Sequence, residues 1–155
     1  GLHTVHYDWD EDTARAYLYY TPTTWMALGA EYFYERQKTG TDVPDPDVYQ
    51  DIRTHRFPLN SSWFHKSGLT LRIGATYVEQ EFGQYDPWAG EKNTAKDRFW
   101  LVDAGLGYRL PKRLGIVSFE MKNLFDEDFK YQDTDERNPR FFPERQFFGK
   151  LTLTF

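Results

Sequence analysis

Read with a period of two, the last eleven residues, Arg145 to Phe155, separate into two faces. Phe147, Gly149, Leu151, Leu153 and Phe155 share one; Gln146, Phe148, Lys150, Thr152 and Thr154 share the other. Side chains alternate across a strand, so this is a strand with one oily face and one mostly polar face. It runs to an aromatic last residue. Chain termini usually fray, so a final strand that ends on Phe155 points to a sheet closed through its C-terminus.

Composition narrows the choice. The 155 residues make one domain or one piece of a larger one, and contain no cysteine, hence no disulfide and no thiolate metal site. A net charge of −5 and a pI near 5.4 argue against a nucleic-acid partner. The longest apolar run, Trp25 to Ala30, is far too short for a transmembrane helix. Mean hydropathy is −0.77, which still permits a membrane barrel, because lipid-facing and lumen-facing residues alternate and cancel along the chain. No signal peptide is visible at Gly1, so an exported protein of this sequence would be mature or cut from something longer.

The patterning predicts eight strands: Leu2–Trp9, Thr13–Tyr20, Trp25–Arg36, Tyr49–Leu59, Gly68–Phe82, Asp97–Leu110, Leu114–Phe125 and Arg145–Phe155. Glu11-Asp12 reads as a tight turn, Thr21 to Thr24 as another, and Pro58 as the end of the fourth strand. Asn60–Ser67 and Pro111 to Arg113 are connections. Gln37–Val48, Gly83–Lys96 and Asp126–Glu144 read as long loops. Short connections at one end and long ones at the other are the asymmetry of an antiparallel up-and-down transmembrane barrel.

Two residue sets test that expectation. Trp100 and Tyr108 lie on one face, eight residues apart, or roughly 26 Å at ~3.3 Å per residue. A tilt of ~40° makes this about 20 Å of height, loosely matching aromatic girdles around an apolar band ~25 Å tall. Tyr32, Tyr34 and Tyr77 then fall near the outer interface, with Tyr108 near the inner one. Glu31, Arg72, Asp103, Glu120, Lys122 and Lys150 fall on the opposite, charged face, the expected lumen side. Periodicity alone does not say which face points inward.

The segment Phe119-Glu-Met-Lys-Asn-Leu-Phe-Asp126, then Phe129, then Pro143-Glu-Arg145 before a terminal strand ending in Phe155 resembles the C-terminus of TonB-dependent outer-membrane receptors. Glu144 stands where that family usually has Gly, and Leu153 where an aromatic is frequent. The resemblance covers about the last 40 residues. It implies the closing part of a barrel of about 22 strands that takes up scarce ligands such as ferric siderophores. It also implies a bacterial outer-membrane location, contact with lipid and lipopolysaccharide, and a link to the TonB complex only through N-terminal regions outside this chain. Leu151, Leu153 and Phe155 resemble the signal read by the barrel-assembly machinery. Asn123 and Asp126 are expected to bond local backbone at a strand exit while Leu124 and Phe125 anchor in the band.

Other readings use the same pattern: an export porin, a small eight-stranded structural or adhesion barrel, or a lipid A-modifying barrel enzyme. For chemistry, His55, Ser61, Ser62 and His65 lie close in sequence, with Asp51 upstream, but turn polar residues are the commoner explanation. His3 and His6, on opposite faces of a strand, do not make a ligand pair. The carboxylates of Asp42–Asp47 and Asp126–Glu136 are expected to be solvated loop charges rather than cation ligands. Trp88, Phe141 and Phe142 are loop aromatics open to a ligand. No catalysis, cofactor or metal is expected.

Overall fold

The alternation is realised as a single antiparallel sheet of seven strands in sequence order, each paired with the next. The computed structural model describes residues 7–41, 49–86, 91–131, 141 and 143–154. The strands are β1 (Tyr7–Thr23), β2 (Met26–Thr41), β3 (Tyr49–Phe64), β4 (Leu69–Asp86), β5 (Glu91–Arg109), β6 (Gly115–Lys122) and β7 (Gln146–Leu153). The architecture is all-β, antiparallel and up-and-down. The sheet is not closed: β1 and β7 are its two edges.

Several expected boundaries are corrected. Glu11-Asp12 is not a turn. It lies inside β1, opposite Gln37 and Arg36, where the charge of Asp12 complements that of Arg36. Two expected strands thus become one, and the eight expected strands become seven among the described residues; Leu2 to His6 fall outside them. Thr21 to Thr23 stay in β1, and the turn is only Thr24-Trp25. Pro58 does not end its strand. It pairs with Thr76 on the β4 side, while the β2–β3 ladder is interrupted between Ala30↔Leu59 and Phe33↔Arg56. The missing N–H of Pro58 falls in that gap, which is how a proline is tolerated inside a sheet. Asn60 to Phe64 continue β3, so the connection to β4 shrinks to His65–Gly68. The expected loop Gly83–Lys96 is largely strand and Gln37–Thr41 extend β2, leaving 42–48 and 87–90 between elements. Asp42–Asp47, Trp88, Phe142 and Phe155 lie outside the described residues.

The turns at one end are short. Leu110–Leu114 turns tightly over Pro111–Arg113, where Lys112 and Arg113 hold positive φ of 57° and 59°. Gly115 follows with φ of 151°, and a side chain there would run into the Thr152 carbonyl oxygen. Glycine is required at the start of β6, because no other residue adopts that backbone cheaply.

Register joins the strands face to face. Leu18, Ala30, Leu59, Ala75 and Val102 form one cross-strand row. Tyr20, Leu28, Ser61, Ile73, Ala104, Met121 and Phe147 form the next. Below them run Trp63, Leu71, Leu106 and Phe119, then Leu69, Tyr108, Val117 and Leu151. This apolar face is the open one: Leu18 is 68% exposed, Leu106 50%, Phe147 57% and Leu151 61%.

The small buried hydrophobic core lies on the other face. Val78, Phe99 and Leu101 are buried there, and Phe129, Tyr131 and Phe141 from the β6–β7 connection pack against them. Phe99 stacks on Phe129 with centroids 4.3 Å apart and meets Phe141 edge-on at 6.0 Å. Gln80, fully buried alongside, donates to the Thr54 hydroxyl at 2.9 Å. The long connection thus folds back across the charged face near the far end of β4 and β5.

Candidate functional site

Two surfaces could act on the surroundings: the apolar face and the polar trough behind it. The apolar face ends upward in an aromatic row. Tyr32, Phe57, Tyr77 and Trp100 stand on four adjacent strands with successive centroid separations of 4.8, 6.1 and 5.2 Å. Tyr34 and His55 sit one position higher, 5.0 Å apart, and the Tyr32 hydroxyl lies 3.0 Å from His55 Nδ1. Three of the expected interface aromatics therefore share one row and Tyr34 adjoins it. Tyr108 lies at the other end, between Leu69 and Val117.

Immediately above the aromatics the same face turns ionic. Register aligns Asp12, Arg36, Arg53, Glu81 and Lys96 across five strands. Arg36 grips Asp51 with two bonds, 3.1 and 3.0 Å, and Arg53 reaches the same carboxylate at 3.1 Å. Bidentate pairing of this kind is both strong and directional. The bond to Asp51 raises the Arg36 guanidinium further above its ordinary range. Glu79 is held between Lys96 at 2.6 Å and Arg98 at 2.9 Å. The Lys96 hydrogen bond keeps the Glu79 carboxyl below its ordinary range, against the opposing effect of burial, with the charges of Lys96 and Arg98 helping. The sequence reading missed this row, although Asp51 and Arg53, Glu79 and Glu81, and Lys96 and Arg98 each stand two apart on one strand.

The polar face carries all six residues expected to share it. Glu31 accepts from Arg15 at 2.9 Å and from the Tyr19 hydroxyl. Lys122 bonds Asp103 at 3.0 Å, and Asp103 also accepts the Asn123 backbone N–H at 3.0 Å. Arg72 opposes Gly105, Glu120 opposes the same glycine from β6, and Lys150 opposes Ser118.

The Asn123–Asp126 segment does more than bond its own neighbourhood. The Asn123 side chain, 2% exposed, accepts from the Glu127 N–H at 2.8 Å and donates to the carbonyls of Glu127 and Pro143 at 3.0 and 3.2 Å. Asp126 accepts the Arg145 N–H at 2.9 Å. Asn123 and Asp126 both hold positive φ, 50° and 58°, the backbone region that Asn and Asp tolerate best among side-chain-bearing residues. These contacts tie the exit of β6 to the entry of β7 across the long connection. Leu124 donates its N–H to Val102 at 2.7 Å, whereas Phe125 lies in the turn beyond β6 and is 70% exposed. The expected strand Leu114–Phe125 therefore ends earlier, at Lys122, and Phe125 lies beyond it. Leu151 and Leu153 are on β7, opposite Val117 and Gly115.

The histidines and serines close in sequence are not assembled into one site. His55 faces Tyr32 on the apolar side, Ser61 donates to the Ile73 carbonyl at 3.3 Å, and His65 Nδ1 lies 2.8 Å from the Ser67 hydroxyl inside its turn. Asp51 is engaged by two arginines. Among the described residues no group of three or more His, Asp or Glu is placed to hold a metal ion. Phe99, Leu101 and Val78 are further positions that patterning missed. For Phe99 and Leu101 the signal was an unbroken apolar run, Phe99 to Val102, where alternation calls for polar residues; for Val78 it was an apolar residue beside Tyr77.

No family model, curated protein or solved structure matches this chain.

Proposed function

We propose that this chain forms part of the wall of a bacterial outer-membrane β-barrel that transports a scarce small-molecule ligand, in the manner of a TonB-dependent receptor. One observation carries the membrane reading: an exposed apolar face crosses the sheet and is bounded above by an aromatic row and then an ionic row. Six inter-strand spacings of about 4.8 Å, by roughly 26 Å from Trp100 to Tyr108, give on the order of 700 Å² in plan. Typical monomers expose apolar patches of only about 300–600 Å² at most. Aromatics at a membrane interface with charges just outside is the order expected along a membrane normal.

Topology supports a larger wall. With seven up-and-down strands, β1 and β7 run in the same direction. An all-antiparallel closure takes an odd number of further strands. In lipid the unpaired edge of β1 would be costly, because no water satisfies its backbone groups.

The transport reading rests on the resemblance of Asn123 to Asp126 and Pro143 to Arg145. Its support is the structural work these residues do: they fasten the connection that folds over the polar, wet side. Ferric siderophores are the ligand class that the resemblance suggests, and Leu151 and Leu153 would be read by the assembly machinery during insertion.

Fractionation and uptake test the proposal together. The protein is expected in the outer-membrane fraction, with heat-dependent gel mobility. Its loss is expected to abolish uptake of one labelled ferric siderophore under iron limitation. A soluble protein, or unchanged uptake across a siderophore panel, contradicts the membrane or the transport part respectively.

A further inference from the structure

The polar face is not uniform. Its far end is packed by Phe129, Tyr131 and Phe141, but its turn end is an open groove of about 430 Å³. That volume lies within the usual range for small-molecule sites, roughly 300–1,000 Å³. Four cations line it, Lys66, Arg72, Arg109 and Lys150, against one carboxylate, Glu120. None of these four cations makes an ion pair among the described residues, unlike Arg15, Arg36, Arg56 and Lys122 elsewhere on the sheet.

The space over Gly107 is open, while the Glu120 side chain reaches over Gly105. Arg72 is on β4 and Lys150 on β7, three spacings apart and two residues out of register, about 16 Å between backbones. On β5 between them are Gly105 and Gly107, and a side chain added at Gly107 would meet only Thr70 within 4 Å. Glu120 and Ser118 of β6 also lie between them, so the groove holds one carboxylate among its four cations and keeps a clear excess of positive charge. Phe64 and Ile116 supply apolar walls.

We infer that this groove binds a small organic or inorganic anion carrying phosphate or carboxylate groups, held between Arg72 and Lys150. An excess of unpaired cations in a concave site raises the local potential and favours anions. Arginine offers the planar fork that carboxylate and phosphate accept, and lysine a point charge for the second group. The inference deepens the proposed function by naming a ligand chemistry for the wet side.

The test uses the full chain purified in detergent, titrated with inorganic pyrophosphate and with phthalate, which separate the phosphate and carboxylate sources. At least one is expected to bind, more weakly as salt rises. Arg72→Gln and Lys150→Gln are each expected to weaken it about tenfold, the size of one charge-assisted hydrogen bond. Arg15→Gln, at a cation already engaged by Glu31, leaves it unchanged. Binding of neither probe, or equal weakening by Arg15→Gln, overturns the inference.

A second measurement needs no variant. The bound anion is expected to protect Lys150 from acetylation while Lys112, in the exposed β5–β6 turn, stays reactive; equal protection or none overturns the inference. Failure of the membrane reading shows separately, as an apolar face without lipid contact, whatever the anion does.

Discussion

Replacing Ile73 with arginine places a fixed charge at mid-height on the apolar face. Ile73 lies opposite Ala104 and four residues below Tyr77 on β4. Four residues are roughly 13 Å along the strand, or about 10 Å of height at a tilt of ~40°. That is half the height separating Trp100 from Tyr108, so Ile73 sits near the centre of the band. Arginine on the lipid face of a barrel costs about 2–4 kcal/mol at the midplane and about 0–1 kcal/mol near the interface. Ile73→Arg is therefore expected to lose about 2–4 kcal/mol of folding stability in phospholipid vesicles, read from urea unfolding. Tyr77→Arg, in the aromatic row, is expected to lose much less through the charge itself. The contrast is diagnostic because Ile73 is 40% exposed. A surface substitution in water usually changes stability by only about 0.5 kcal/mol either way. Equal, small costs at positions 73 and 77 would refute the assignment of this face to hydrocarbon.

Four further outcomes follow from particular contacts. Asn123→Ala removes three buried hydrogen bonds and is expected to cost at least about 1–3 kcal/mol, with faster proteolysis between Asp126 and Arg145. Phe99→Ala removes the platform under Phe129 and Phe141 and is expected to cost about 3–5 kcal/mol in urea unfolding, again loosening that connection. Gly115→Ala forces a side chain against the Thr152 carbonyl and is expected to weaken β6–β7 pairing, seen as faster amide exchange in Gln146–Leu153. Because the Glu79 carboxyl is depressed in the folded state, its contribution is present above the ordinary glutamate range near pH 4.3 and is lost as pH falls through its lower folded value. Glu79→Gln is expected to flatten the acid limb of the stability profile below about pH 4.5, and an unchanged limb contradicts the pairing with Lys96 and Arg98.

What patterning revealed and what it hid have physical reasons. Period-two alternation depends only on each residue's own strand, so the set sharing one face of β5, Trp100 to Tyr108, was legible directly. Strand ends were not, because they depend on what lies across the ladder. Glu11-Asp12 reads as a turn in isolation, but Arg36 and Gln37 opposite it make it strand. Pro58 reads as a terminator, but its missing donor falls where the β2 ladder is already open. The packing of Phe129, Tyr131 and Phe141 onto Phe99 was hidden because it joins residues some 30 or more positions apart. Likewise the bonds from Asn123 to Pro143 and from Asp126 to Arg145 explain why these residues occur together, which their spacing alone could not.

The chain's lack of cysteine allows each position of β5 to carry a single spin label in turn. Relaxation by oxygen, which concentrates in lipid, and by a water-soluble nickel chelate would be measured from position 98 to 108 in vesicles. Oxygen access is expected to peak at 100, 102, 104, 106 and 108, with nickel access peaking at 103, 105 and 107. Nickel access at the even positions equal to that at the odd ones would contradict a wall with one side in hydrocarbon and the other in water.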